Sequence, residues 1–196
     1  MKRALWITAI TVLIGGSAGI VALHFHQSKP IQTFQSIEQR DRSRPKFSKM
    51  ASPSRFIIPS LGIEKSIIGV GLTPNGDMDT PPDNDSLGWY MNNPKPGDSG
   101  AAVLAAHAGP PENPSIFQRL QSLKKGAVIK IEDKSSNIAL FEVTETATYQ
   151  PNTAPRERIF GKTKEPRLAI ITCTGEWLPS DQTYSDRFVV FATRKL

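Results

Sequence analysis

From Arg55 to the C-terminus the apolar residues of this chain come in short runs, and turn residues close almost every one. Arg55 to Ile58 ends at Pro59 to Gly62, and Glu64 to Val70 precedes the turn Pro74-Asn75-Gly76-Asp77. Pro81 to Ser86 is loop, Gly88 to Tyr90 is a short strand, and Asn92 to Gly100 is again rich in turn residues. Ala101 to Ala106 reads as a buried strand that ends at His107. Ala127 to Glu132 alternates, Ile138 to Tyr149 is long and β-branched, and Leu168 to Cys173 and Phe188 to Thr193 are buried strands. The chain's 14 Gly and 16 Pro recur between short apolar runs, which favours many strands joined by turns over a helical bundle. Only Ser115 to Leu123, apolar at Ile116, Phe117, Leu120 and Leu123, has helical spacing, with a second short helix expected over Pro155 to Phe160. About eight strands with one or two short helices predict a mainly β domain, a closed or sandwich-like barrel. No internal repeat or low-complexity tract interrupts it.

The N-terminal part follows different rules. Ala4 to Phe25 contains no Lys, Arg, Asp or Glu, and about 20 apolar residues suffice to cross a bilayer. Lys2 and Arg3 in front of it predict a cytoplasmic N-terminus and an extracellular domain behind. The alternative is a cleavable signal peptide, with Ser17-Ala18-Gly19 as the small-residue site. That site lies inside the apolar run, with Ile20 to Leu23 still to follow, so an uncleaved anchor is expected. Residues 26–54 are polar and basic, carry Pro30, Pro45 and Pro53, and read as a linker. The expected organisation is a cytoplasmic 1–3, a transmembrane anchor over 4–25, a linker over 26–54 and one domain over 55–196. The linker is expected to make no core contacts, so that removing residues 1–50 should give a soluble, active domain. A domain of about 140 to 150 residues can bury a single core.

The formal charge is +6, but the basic residues are scattered and no basic stretch carries interleaved aromatics that would stack on bases. Most of this charge is solvated surface, and no nucleic-acid partner is expected. No compact acidic cluster suggests a calcium site, so neither metal nor other cofactor is expected.

Three residues are candidates for chemistry: His107 and Cys173 at strand ends and Arg187 at the start of the last strand. A thiolate favoured by a neighbouring cation or base is a nucleophile, an imidazole can pass a proton to a leaving amine, and a guanidinium can hold an oxyanion. Together they suit acyl transfer through a thioester. Each also has an ordinary reading. Cys173, the one cysteine, would be a small buried hydrophobe; His107 a hydrogen-bonded strand end; Arg187 the partner of Asp181 or Asp186. Spacing alone does not bring the three together.

Val103 to Leu120 (VLAAHAGPPENPSIFQRL) resembles the histidine segment of sortases, where a strand ends in His before a loop and a Phe-x-x-Leu helix. Ile170 to Cys173 resembles their Leu-x-Thr-Cys strand, and Tyr184 to Phe191 (YSDRFVVF) resembles the short loop ending in Arg on the final strand. Gly88-Trp89-Tyr90 and Pro96-Gly97-Asp98-Ser99-Gly100 fit the same pattern, and the order His, Cys, Arg differs from papain-like enzymes, where Cys precedes His. Ile170 stands where the family usually has Leu, and Ala106 where it often has Gly. The short linker and the His-Ala-Gly-Pro-Pro loop are most similar to class F, with classes D and E close to it.

The resemblance implies a sortase-type closed barrel of seven or eight strands. It implies a cysteine transpeptidase that cleaves an LPXTG-like signal on exported proteins between Thr and Gly and passes the acyl group to a cell-wall peptidoglycan precursor amine. It also implies roles: Cys173 as nucleophile, His107 as acid and base, and Arg187 at the oxyanion. Thr172 and the backbone amide of Ala108 are weaker candidates for shaping the site. The alternatives are a hydrolytic cysteine peptidase on the same fold and a non-catalytic membrane-tethered β-barrel that binds a partner.

Overall fold

The computed structural model describes residues 49–195. The expected anchor and residues 26–48 of the expected linker lie outside them.

Eight strands form a closed barrel: β1 (Pro53–Ile58), β2 (Ile63–Val70), β3 (Leu87–Tyr90), β4 (Gly100–Ala106), β5 (Val128–Asp133), β6 (Ile138–Tyr149), β7 (Pro166–Leu178) and β8 (Thr183–Arg194). Around the barrel the order is β1-β2-β3-β4-β7-β8-β6-β5, closed by β5 against β1. Closure leaves no free sheet edge. The expectation of a mainly β barrel of seven or eight strands therefore holds, with eight. Two pairings are parallel, β2 with β3 and β4 with β7, and each needs a long crossover. Residues 71–86 supply the first crossover, and the second carries residues 107–165 between the paired strands.

The period of two along each strand sorts side chains into an inner and an outer layer. Ala102, Leu104, Ala106, Leu168, Ile170, Phe188 and Val190 point inward with Phe56, Ile131 and Phe141. Val103, Ala169, Val189 and Phe191 form a second cluster outside, roofed by Ile159 of the short helix α1 (Arg156–Phe160). Burial on both faces is why β4 reads as an unbroken apolar run instead of an alternating one. Arg158 ties the roof down, its guanidinium 3.9 Å from the Phe191 ring and forked onto Glu145.

The helical spacing at Ser115 to Leu123 becomes a 3-10 helix over Ile116–Ser122. Its buried residues, Phe117, Leu120 and then Leu123, recur every third position, which matches three residues per turn better than 3.6. Ser115 caps it by accepting from the Phe117 amide.

The barrel's packing begins earlier than Arg55. Met50 is buried in the inner core and the Ala51 amide donates to Asp133 at 2.7 Å. The end of the expected linker thus belongs to the domain, and a truncation that removes Met50 removes a core side chain. Asp133 closes the β5–β6 turn as well. Burial by itself would raise its pKa, but bonds from the Asn137 side chain and from the amides of Ala51, Asn137 and Ser135 overcome that and hold it down to about 2. A carboxyl lowered on folding contributes stability above its unfolded value, about 4, and loses that contribution as pH falls through about 2. Asp133→Asn should therefore lower the melting temperature at pH 7, and the gap from the parent should shrink steadily between pH 4 and pH 2. A gap independent of pH would mean that the charge of Asp133 contributes nothing.

Candidate active site

The register brings the three chemical residues to one end of the barrel. In the parallel pair, Ala106 stands beside Thr172, so the next residues, His107 and Cys173, come level on neighbouring strands. In the antiparallel pair, Cys173 stands directly opposite Arg187. Adjacent strands lie about 4.8 Å apart, so residues on three consecutive strands at one level are close neighbours. Strand alternation then settles the face. His107 follows Val103 and Ala105, Cys173 follows Ala169 and Ile171, and Arg187 precedes Val189, so all three belong to the outer layer. They line a common cleft of about 570 Å³ with Ala108, Met78, Trp177 and Tyr184.

The half-buried His107 has its Nε2 2.8 Å from the carbonyl oxygen of Pro81. A carbonyl only accepts, so Nε2 carries a proton and Nδ1 is the nitrogen left to exchange one. Pro81 belongs to the 71–86 crossover, which also lends Asp77, Met78, Thr80 and Asn84 to the cleft wall. Sequence reading treated that segment only as turn and loop.

Arg187 is not paired with Asp181 or Asp186. Its Nη1 donates to the backbone oxygens of Tyr184 and Asp186 at 2.9 and 3.0 Å, and Nη2 donates to Thr183 Oγ1 at 3.4 Å. The Asp186 carboxylate is occupied by the Ser185 hydroxyl at 2.7 Å. Five donors less three bonds leaves Nε–H and one Nη2–H without a partner among the described residues. A guanidinium held by two carbonyls and a hydroxyl, all neutral, is left without a carboxylate to offset its charge toward an incoming anion.

The strand bearing Cys173 kinks just after it. The β7–β8 register shifts between Thr174 and Trp177, and Gly175 adopts φ +90°. A Cβ at Gly175 would meet Ser185 Oγ at 2.3 Å and Asp186 Oδ2 at 2.4 Å, and at this φ any other residue would be strained, so the bulge favours glycine. Ser185 Oγ accepts from the Glu176 amide at 3.0 Å and closes the bulge.

The weaker candidates divide. Ala108 is buried and lines the cleft. Thr172 does not line it: alternation turns it inward beside Ile170 and Ala106, where it is 1% exposed and its Oγ1 has no hydrogen-bond partner among the described residues. Sequence reading gave no role to Tyr184, Trp177 or Gln118: Tyr184 and Trp177 line the cleft, and Gln118 donates to the Tyr184 hydroxyl and the Ala108 oxygen.

A family model of the sortase domain matches residues 56–195. The chain belongs to the sortase family. It is accordingly a cysteine transpeptidase. Sortase A from Corynebacterium diphtheriae is similar in structure, with a TM-score of 0.59 and 18% identity over 86% of this chain and 72% of that one. Sortase C-1 from Actinomyces oris gives 0.58 and 22% over 73% and 71%. A sortase D5 transpeptidase from Clostridium perfringens gives 0.54 and 19% over 83% and 89%. No curated protein sequence is a significant match. At these identities the solved structures speak for the fold of this sortase, and the assignment to the family rests on the matched domain.

Proposed function

We propose that this sortase cleaves an LPXTG-like signal between Thr and Gly and transfers the acyl group to an amine of a cell-wall precursor, using Cys173, His107 and Arg187. The observation that carries the reading is the meeting of these three side chains on one face, at one level, in one cleft. Cys173 attacks the Thr carbonyl as thiolate, and the electron pair displaced from the carbonyl settles on its oxygen. The two free donors of Arg187 receive that oxyanion. As the intermediate collapses, the C–N bond breaks and the Gly nitrogen takes the proton from Nδ1 of the His107 imidazolium, leaving a thioester on Cys173. The incoming amine attacks the thioester, returns a proton to Nδ1 and breaks the C–S bond, which restores the thiolate.

The test is a library of fluorescent Leu-Pro-X-Thr-Gly peptides incubated with several amines, with products identified by mass spectrometry. Cleavage after Thr with an amine adduct is the expected result. Hydrolysis with every amine would mean a hydrolytic peptidase, and cleavage at another bond would end the LPXTG-like reading.

We place the catalytic domain outside the cell on the single anchor 4–25, because Lys2 and Arg3 precede a run of bilayer length. The protein should then fractionate with membranes. A secreted form with a mature N-terminus near Ile20 would show a signal peptide instead. The class F reading rests on the same grounds as before, the short linker and the His-Ala-Gly-Pro-Pro loop.

A further inference from the structure

Tyr184 lies on β8, three residues before Arg187, and is 9% exposed. Its backbone oxygen accepts from Arg187 Nη1 at 2.9 Å. Its hydroxyl, at the other end of the side chain, donates to the backbone oxygen of Gly109 at 2.9 Å. Gln118 Nε2 is shared between that hydroxyl and the backbone oxygen of Ala108, both at 3.1 Å. Between these ends the Tyr184 ring meets the Trp177 ring edge-on, with centroids 5.1 Å apart. Trp177 lies on β7, beyond the bulge that follows Cys173. One residue therefore touches the continuation of each strand that carries a reacting group.

The contact matters most for His107. The strand pairing that fixes β4 ends at Ala106 and Thr172, one residue short of the histidine. After it the chain turns through Gly109, whose φ is +70° and whose missing Cβ would lie 2.5 Å from the Asn113 oxygen. The return of the loop is fixed by the Ser115 amide on the Ala108 oxygen at 2.7 Å. The other two bonds to Ala108 and Gly109 come from the Gln118 and Tyr184 side chains. The phenol hydroxyl thus ties the backbone two residues after His107 to β8, the strand that carries Arg187.

We propose that Tyr184 is a positioning residue that holds His107 at the distance needed for proton delivery to the leaving amine. The inference rests on the reading of His107 as general acid. A misplacement of about 1 Å at a reacting group costs on the order of a hundredfold, and the loss of one of several tethers is expected to cost part of that. Tyr184→Phe keeps the ring against Trp177 and the backbone oxygen on Arg187 and removes only the hydroxyl.

The experiment compares the best Leu-Pro-X-Thr-Gly peptide with its ester analogue, in which the Gly nitrogen is replaced by oxygen. An alkoxide leaves with less help from a proton donor than an amine does, so the ester depends less on His107. Tyr184→Phe should lose about tenfold in kcat on the amide with KM within about threefold, and at most about threefold on the ester. A loss caused only by a smaller folded fraction would reduce both substrates equally, and equal losses or no loss overturn the inference. If Tyr184→Phe does not fold, Gln118→Leu removes the donor shared by Tyr184 and Ala108 and should shift the same ratio; an unshifted ratio overturns the inference again. His107→Ala separates the two readings. If that variant keeps amide turnover, the general-acid reading fails. If it loses amide turnover while Tyr184→Phe keeps the parental ratio, only the role of Tyr184 fails. A parent chain silent toward both substrates overturns both.

Discussion

Cys173→Ala should abolish peptide cleavage and leave the melting temperature within a few degrees of the parent. Chemistry demands the first half: this is the chain's one thiol, and without sulfur no thioester forms. Geometry supplies the second. Cys173 is half-buried in the outer layer, not in the inner core, and its backbone pairing with Arg187 is indifferent to the side chain. Removing one sulfur at a cleft wall leaves no sealed cavity, the circumstance that makes core truncations expensive. An internally quenched Leu-Pro-X-Thr-Gly peptide measures the first effect and a thermal melt the second. Substantial turnover by the Ala variant would end the cysteine mechanism for this site.

Arg187→Lys should keep the fold and lose at least about tenfold in cleavage, since the loss of one oxyanion donor costs on the order of a hundredfold to a thousandfold and the retained charge recovers part of it. The structure sharpens the reason. An arginine serving only an exposed carboxylate would contribute roughly 0 to 1 kcal/mol, and lysine would replace it at little cost. Arg187 instead spends three donors on Tyr184, Asp186 and Thr183 and keeps two more in a side chain that lines the cleft. An ammonium has three donors in all and no plane, so it cannot hold those oxygens and still offer two more. Cys173 should react with a thiol probe in this variant as in the parent, because Arg187 is assigned to the oxyanion and not to making the thiolate. Near-normal turnover would remove Arg187 from the mechanism and leave a Cys-His pair.

What was legible in the sequence was what period and punctuation control. Runs such as Leu168 to Cys173 and Ala101 to Ala106 announced buried strands, and turn residues between them favoured strands over a helical bundle. The same runs ended in His107 and Cys173, so the reacting groups were visible as chemistry before they were visible as a site. The resemblance supplied the link between them that spacing could not.

Tertiary structure decided the rest, because a strand's own residues determine its two faces but not its neighbour or its register. That β4 lies parallel to β7, with Ala106 beside Thr172, depends on hydrogen bonds between segments far apart in the chain. That pairing alone makes His107 level with Cys173. Register decided against Thr172 as a wall of the cleft, since one step along a strand reverses the face. It also freed Arg187 from the aspartates beside it in sequence by aiming the guanidinium at backbone oxygens. The bulge at Gly175, the core position of Met50 and the reach of Tyr184 to Gly109 have the same origin. Each is a contact between residues whose local sequence is compatible with many neighbours, and only closure of the barrel selects one.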